Sequence, residues 1–204
     1  MLRHVNRYLD VNLTREHVLS TYSGYRPLVS SRDKKQGKSL SRTHAILESP
    51  AGLVSIVGGK LMTWRKMGQD TVDRLARHDH IPIRYPTEHL SLIGAERWRE
   101  TAEELPRRAH VLGLDTDVVE HLGFYYDSGS LAILDLIDHD ADLARRLLPY
   151  LPYIRAEIVH ACRCEMALTL EDMLARRTHI AIEDHQRGVG VAADVAGLMA
   201  LQLG

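Results

Sequence analysis

The stretch "GLVSIVGGKLMTWRKMGQDTVDRLARH", residues 52–78, decides how this chain is read. Leu53, Val54, Ile56 and Val57 surround a single serine, so the run is apolar on both faces, the pattern of a buried strand. Two glycines and a lysine follow. From Leu61 the period becomes helical: Leu61, Trp64, Gly68, Thr71 or Val72, and Leu75 fall on one stripe, and the helix is expected to end near His78. A strand that passes into a helix through glycines is a place where a phosphate or a cofactor can approach the backbone.

Working outward from this unit, "THAILES" (43–49) alternates as a strand and "SPAG" (49–52) makes a turn. "STYSGYRPLVSS" (20–31) reads as extended, because Gly24 and Pro27 disfavour helix and Pro27 biases Arg26 toward extended geometry. The three runs predict an antiparallel sheet or strands that join a larger one. Between them lies "SRDKKQGKSLSR" (31–42), with five cations against Asp33. The first dozen residues suit a short helix with Val5, Tyr8 and Leu9 inward. "NLTREHVLSTY" (12–22) predicts a helical turn capped by Asn12 or Thr14.

"HDHIPIRYPTEHL" (78–90) has two prolines and no helical period, so it reads as a linker. Beyond Leu92 every segment suggests helix: 95–113, with a bend at Pro106; 115–127, capped by Asp115 or Thr116; 129–137; "DADLARRLLP" (140–149); 153–167; and 169–184, opening on a Thr-x-x-Asp capping pattern. The tail places Val191, Val195, Leu198 and Met199 on one face. The fold class expected is α+β: residues 1–78 with a small antiparallel sheet, a linker at 79–89, and an all-α domain at 90–204.

A net charge of −1 with 26% charged residues does not suit a general nucleic-acid binder. No apolar run reaches the roughly 20 residues of a membrane span, and the start has no continuous apolar core. The expectation is a cytoplasmic protein, with peripheral attachment to the inner face of the cytoplasmic membrane left open. Cys162 and Cys164 lie on opposite sides of a helix and do not suit a disulfide. Of twelve histidines, no two are three or four apart. Glu157 and His160, or His160 and Cys164, supply two ligands at most, so no metal is expected.

The Gly58-Gly59-Lys60 segment fails the P-loop pattern: Leu61 follows the lysine, and Val54 stands where a glycine is needed. The chain has no G-x-G-x-x-G. A ligand contact still has a physical basis. The first amides of a helix lack intrahelical acceptors and carry partial positive charge. A lysine there is mildly unfavourable for the helix, by roughly 0.3–1 kcal/mol at an exposed site, and makes sense opposite something electron-rich. A tight turn with an exposed lysine explains the same residues. Arg26 is either half-buried and paired, or aimed at a small anion that its guanidinium grips in two-pronged fashion. Arg42 closes the cationic segment as the next strand begins.

Taken in order, "TYSGYRPLV", "SRTHAI", "GLVSIVGGKLMTWRKMGQDTVD" and "CEMALTLEDMLARRT" resemble the C-terminal half of FAD-dependent glycerol-3-phosphate dehydrogenase, over nearly the whole chain. The resemblance implies oxidation of sn-glycerol 3-phosphate to dihydroxyacetone phosphate, with hydride passing to the flavin and electrons going on to quinone or oxygen. It implies that Arg26 faces the substrate beside the flavin, that Arg42 binds its phosphate, and that Gly58, Gly59, Lys60, Leu61 and Thr63 lie against the isoalloxazine. Arg26 and Lys60 are then the catalytic candidates, with Lys60 stabilising negative charge. The family often has Thr-Thr after "GGKL", where this chain has Met62-Thr63. Its Rossmann portion, with the pyrophosphate-gripping G-x-G-x-x-G, would lie ahead of these residues. The expectation is therefore a fragment, a truncated product or half of a split enzyme, inactive without a companion that holds the FAD. Homodimerisation stays open. The rival expectation is a non-catalytic helical module for partner or membrane-surface docking.

Overall fold

The computed structural model describes residues 1–25 and 43–204. In chain order the main elements are helix α1 (Leu2–Tyr8), strands β1 (Ala45–Glu48) and β2 (Val54–Val57), and helices α2 (Trp64–His78), α3 (Trp98–Val111), α4 (Thr116–Tyr126), α5 (Gly129–His139), α6 (Arg155–Cys164), α7 (Ile180–Glu183) and α8 (Ala192–Leu203). They form two compact units. One comprises Ser23–Leu90; the other comprises Met1–Tyr22 with Ser91–Gly204. The class is α+β with a helical C-terminal part, as expected. The first 22 residues group with the helices, whereas the sequence grouping put them with the strands. The Ser20 hydroxyl donates to the Ile182 carbonyl at 2.8 Å, a contact that local pattern does not reveal.

In the smaller unit β1 and β2 pair antiparallel with Ala45 opposite Val57 and Glu48 opposite Val54. The turn expected at 49–52 is present. The Gly52 amide bonds the Ser49 carbonyl at 2.9 Å, and Gly52 takes φ +82°, the left-handed geometry that closes such a hairpin. α2 packs against this hairpin, but not by the apolar stripe read from the sequence. Leu61, Trp64, Val72 and Leu75 are exposed, whereas Asp73 and Ala76 are buried. The packed face is instead the one that carries the polar contacts to the hairpin. Residues 44, 46 and 48 share one side of the first strand. His44 meets Asp70 at 2.9 Å, and Glu48 receives two guanidinium nitrogens of Arg74 at 2.5 and 3.0 Å. Correspondingly β2 is half-buried rather than buried. Residues 79–89 fold back on the same helix: a 3-10 turn at Pro86–Glu88 follows Tyr85, whose hydroxyl lies 3.4 Å from Asp73.

The helical unit has two apolar clusters that share α6. Leu105, Val118, Leu122, Ile133, Leu134 and Val159 belong to one. Ile158, Ala161, Met173, Ile180, Val195 and Leu198 belong to the other. α8 buries Val195, Leu198 and Met199, with Val191 ahead of it, as its period predicts. α3 runs through Pro106 to Val111. Asp115 is the N-cap position of α4, and Thr14 caps a 3-10 turn at Arg15–His17, where its hydroxyl lies 2.8 Å from His17 Nδ1.

Three local expectations change. α1 buries nothing, and Tyr8 and Leu9 are exposed, because no element of its unit covers that side. "DADLARRLLP" forms one 3-10 turn, Ala141–Ala144, then extends so that Arg146 bridges Ile154. Arg146 there pairs with Asp115 and Asp117 at 2.7 and 2.5 Å, which holds it out of a helix. The capping pair at 169–172 forms reciprocally, the Thr169 hydroxyl donating to Asp172 at 2.8 Å and accepting from its amide at 3.1 Å. Its helix becomes a π turn over Asp172–Arg177 and breaks at His179, which has φ +54°.

Inside α6, Glu157 is fully buried. Its carboxylate lies 2.7 Å from His121 Nε2 and accepts from the Tyr126 hydroxyl at 3.0 Å and the Ile154 amide at 2.8 Å. The ring of His121 stands edge-on to Tyr153 at 4.7 Å. Burial and the neighbouring carboxylate push the Tyr126 hydroxyl far above its ordinary range. Glu157→Ala orphans these groups and is expected to destabilise the helical unit by about 3 kcal/mol; Glu157→Gln, which keeps an acceptor, should cost less. Urea unfolding followed by circular dichroism measures both.

Asp184 supplies a pH-dependent contribution. A hydrogen bond from Tyr150 and then one from the Gly188 amide hold its carboxyl below the usual range. The folded state therefore binds this proton less tightly than the unfolded chain. The stabilisation is fully present above about pH 4 and is lost as pH falls through the lower folded value. Asp184→Asn should flatten the fall of the urea midpoint as pH drops below about 4.

Candidate functional site

The candidate site is the turn that leads from β2 into α2. Gly58 and Gly59 have φ of +78° and +82°, a conformation that side chains rarely adopt. A Cβ on Gly59 would stand 2.4 Å from the Met67 sulfur and 3.3 Å from His44 Cβ. The glycine thus serves the packing of α2 on its inner side, and the turn presents its other side outward. Lys60 caps a 3-10 turn, Leu61–Thr63, that runs directly into α2. Its side chain is exposed, and among the described residues no carboxylate pairs with it. Leu61 and Met62 are 90% and 83% exposed, an apolar edge beside that cation.

Thr63 is engaged within the turn. Its hydroxyl donates to the Lys60 carbonyl at 2.9 Å and accepts from the Lys60 amide at 3.3 Å. The amides of Leu61 and Met62, first in the helical segment, have no carbonyl of that segment to bond. Two backbone donors, a cation and apolar side chains therefore share one turn. That combination suits a planar, electron-rich ring system with a carbonyl edge, so the residues present fit a flavin. Arg26 and Arg42, the expected substrate ligands, lie outside the described residues.

Beneath the turn is a network that local sequence did not reveal. Asp70 bonds His44 Nε2 through one oxygen, at 2.9 Å, and Lys66 through the other, at 2.8 Å. The hydrogen bond from Lys66, then that from His44, hold the Asp70 carboxyl below the ordinary range. The i,i+4 spacing of Lys66 and Asp70 is visible in the sequence. The partnership with His44 needs the hairpin register. In the same unit, Trp64, Gly68, Val72, Asp73, Arg84 and Tyr85 line a groove of about 380 Å³ on the exposed side of α2.

Glu157, His160, Cys162 and Cys164 have the following surroundings. Glu157 is engaged by His121 and Tyr126, and the His160 ring stands edge-on to Tyr126 at 5.5 Å. Burial pushes the His160 imidazole below its ordinary value. Cys162 is buried and Cys164 exposed.

Comparison with known proteins decides the family. Residues 85–204 match the model of the C-terminal domain of alpha-glycerophosphate oxidase. The chain belongs to the glycerol-3-phosphate dehydrogenase family. Over 207 residues and the whole chain it is 36% identical to glycerol-3-phosphate dehydrogenase 2 of Mycobacterium bovis, covering 35% of that protein. It is 34% identical to the glycerol-3-phosphate dehydrogenase of Synechocystis over 96% of the chain and 36% of that protein. It is 32% identical to the mitochondrial enzyme of Mus musculus over the whole chain and 28% of that protein. The chain thus spans about a third of the length of these family members and matches their C-terminal part. Among the described residues no helix is long and apolar enough to cross a membrane.

Gly59→Ala tests the packing half of this description. The strained φ and the Met67 contact together predict a loss of about 1–3 kcal/mol in the smaller unit. Gly59→Ala combined with Met67→Ala should cost less than the sum of the two single changes, measured by amide hydrogen exchange in α2.

Proposed function

We propose that this chain forms the flavin-facing and substrate-facing part of an FAD-dependent glycerol-3-phosphate dehydrogenase, which oxidises sn-glycerol 3-phosphate to dihydroxyacetone phosphate. The observation that carries the reading is the turn at Gly58–Lys60. It offers a cation without a carboxylate partner among the described residues, at the head of a helix, in a chain whose family members are named for this substrate. Bound FAD supplies the hydride acceptor. Gly58, Gly59, Lys60 and Leu61 would hold its ring edge, with Thr63 bracing the turn from within. Lys60 places a fixed positive charge where negative charge develops, which lowers the barrier because the charge need not be assembled during the reaction.

Arg26 and Arg42 are assigned the substrate. A guanidinium matches a phosphate with two parallel hydrogen bonds, so Arg42 binds the phosphate and Arg26 the polar groups nearer the reacting carbon. The pyrophosphate end of FAD would be held by a G-x-G-x-x-G element, which these residues do not contain, supplied by further polypeptide or a companion chain. Quinone or oxygen then takes the electrons. Attachment to the membrane is peripheral, at the inner face of the cytoplasmic membrane.

In the complete enzyme, this chain joined to the N-terminal portion that its relatives carry, Arg42→Ala and Arg26→Ala should each lower kcat/KM by about 100-fold or more. Lys60→Met should lower kcat by a similar factor, and Arg107→Ala on the helical unit should change little. Purified alone, the chain should be colourless and leave a redox dye unreduced with glycerol 3-phosphate. A yellow, dye-reducing preparation of the chain alone overturns the division of labour. Full turnover in the Arg26 and Arg42 variants overturns the assignment of substrate.

A further inference from the structure

The flavin-facing turn is held in place by an element nothing in the family comparison assigns. Extending the hairpin register by one residue puts His44 opposite Gly58. Its Cβ lies 3.3 Å from the position a Cβ on Gly59 would take, so the imidazole stem forms one wall of the glycine turn. Met67 forms the other wall. One helical turn further along α2, Asp70 takes the tip of that imidazole, Nε2, at 2.9 Å. Met67 and Asp70 are three residues apart and therefore share a face. The helix grips both sides of the turn, once through a sulfur and once through a hydrogen-bonded ring.

The electrostatics favour the same conclusion. Asp70 is the acceptor for both His44 and Lys66. With this carboxylate engaged below the turn, Lys60 is left without an acidic neighbour among the described residues. The other carboxylates on the strand and helix are committed elsewhere, Glu48 to Arg74 and Asp73 to Tyr85 and Arg77, while Arg65 bonds Gln69 and His78 bonds Asp79.

We propose that His44 and Asp70 are positioning residues for the Gly58-Gly59-Lys60 turn: Asp70 fixes the imidazole, and the imidazole fixes the backbone donors and the lysine that meet the flavin. The inference rests on the flavin reading of that turn. A displacement of about 1 Å in such a group is worth up to 100-fold in rate, which is the scale on which the pair acts.

The first test uses the chain itself. His44→Gln and Asp70→Asn are compared with the unchanged chain by two-dimensional NMR. Each should shift the backbone amides of Gly58, Gly59 and Lys60 beyond their linewidths, and the double variant should shift them no further than either single one. Amides of the last turn of α2, residues 74–77, in the same unit, serve as the control for folding. Unmoved turn amides, or strictly additive shifts, overturn the coupling. The second test uses the complete enzyme. Each variant should lower kcat about tenfold with KM for glycerol 3-phosphate little changed, and should lower the flavin midpoint potential, as Lys60→Met does more strongly. If Lys60→Met lowers the potential and Asp70→Asn does not, this inference fails and the flavin reading stands. If neither moves it, both fail.

Discussion

A methionine sulfur packed where a glycine has no Cβ is the contact on which the smaller unit turns. Gly59 must take a positive φ for β2 to pass into α2 in so few residues, and Met67 fills the space a side chain would need. The same geometry throws Lys60, Leu61 and Met62 outward together. One turn thus meets a packing need on its inner side and presents a cation and an apolar edge on its outer side.

The helical unit depends on a different constraint. α6 contributes to both apolar clusters, and Glu157 stands within it as a buried carboxylate. A charge in such a place is tolerable only when its oxygens are met by donors. His121 and Tyr126 of α4 and the amide that opens α6 meet them. One carboxylate thereby ties the start of α6 to α4. The paired acids of Arg146 and Arg155 do similar work nearer the surface, where each contributes less.

The exposed stripe on α2 is the instructive departure. Leu61, Trp64, Val72 and Leu75 obey the helical period and were expected inside, yet their own unit packs the opposite face. Periodicity reports that a helix has an apolar side; it does not report what lies against that side. Here the packed face carries a hydrogen bond from Asp70 to His44, just ahead of the first strand, and the pair of Arg74 with Glu48. The break at His179 and the π turn before it also escaped the pattern, because Thr178 bonds back to Met173 and Arg177 reaches Glu165, contacts that local propensity does not contain.

Of the extended run expected at 20–31, residues 20–25 form no strand and 26–31 lie outside the described residues. Sequence alone determined the hairpin with its Ser-Pro-Ala-Gly turn, the strand-to-helix junction with its exposed lysine, the helical character of the C-terminal part, the reciprocal cap at Thr169 and Asp172, and the kinship carried by four short motifs. These are readable because each depends on residues within a few positions of one another, where backbone sterics and side-chain spacing act directly. Tertiary structure alone decided which face of α2 is packed, that Asp70 serves His44, that Glu157 serves His121 and Tyr126, and that the first 22 residues join the helices. Each of these is a choice between partners far apart in the chain, and the hydrogen bonds and desolvation that settle it exist only once the chain has folded.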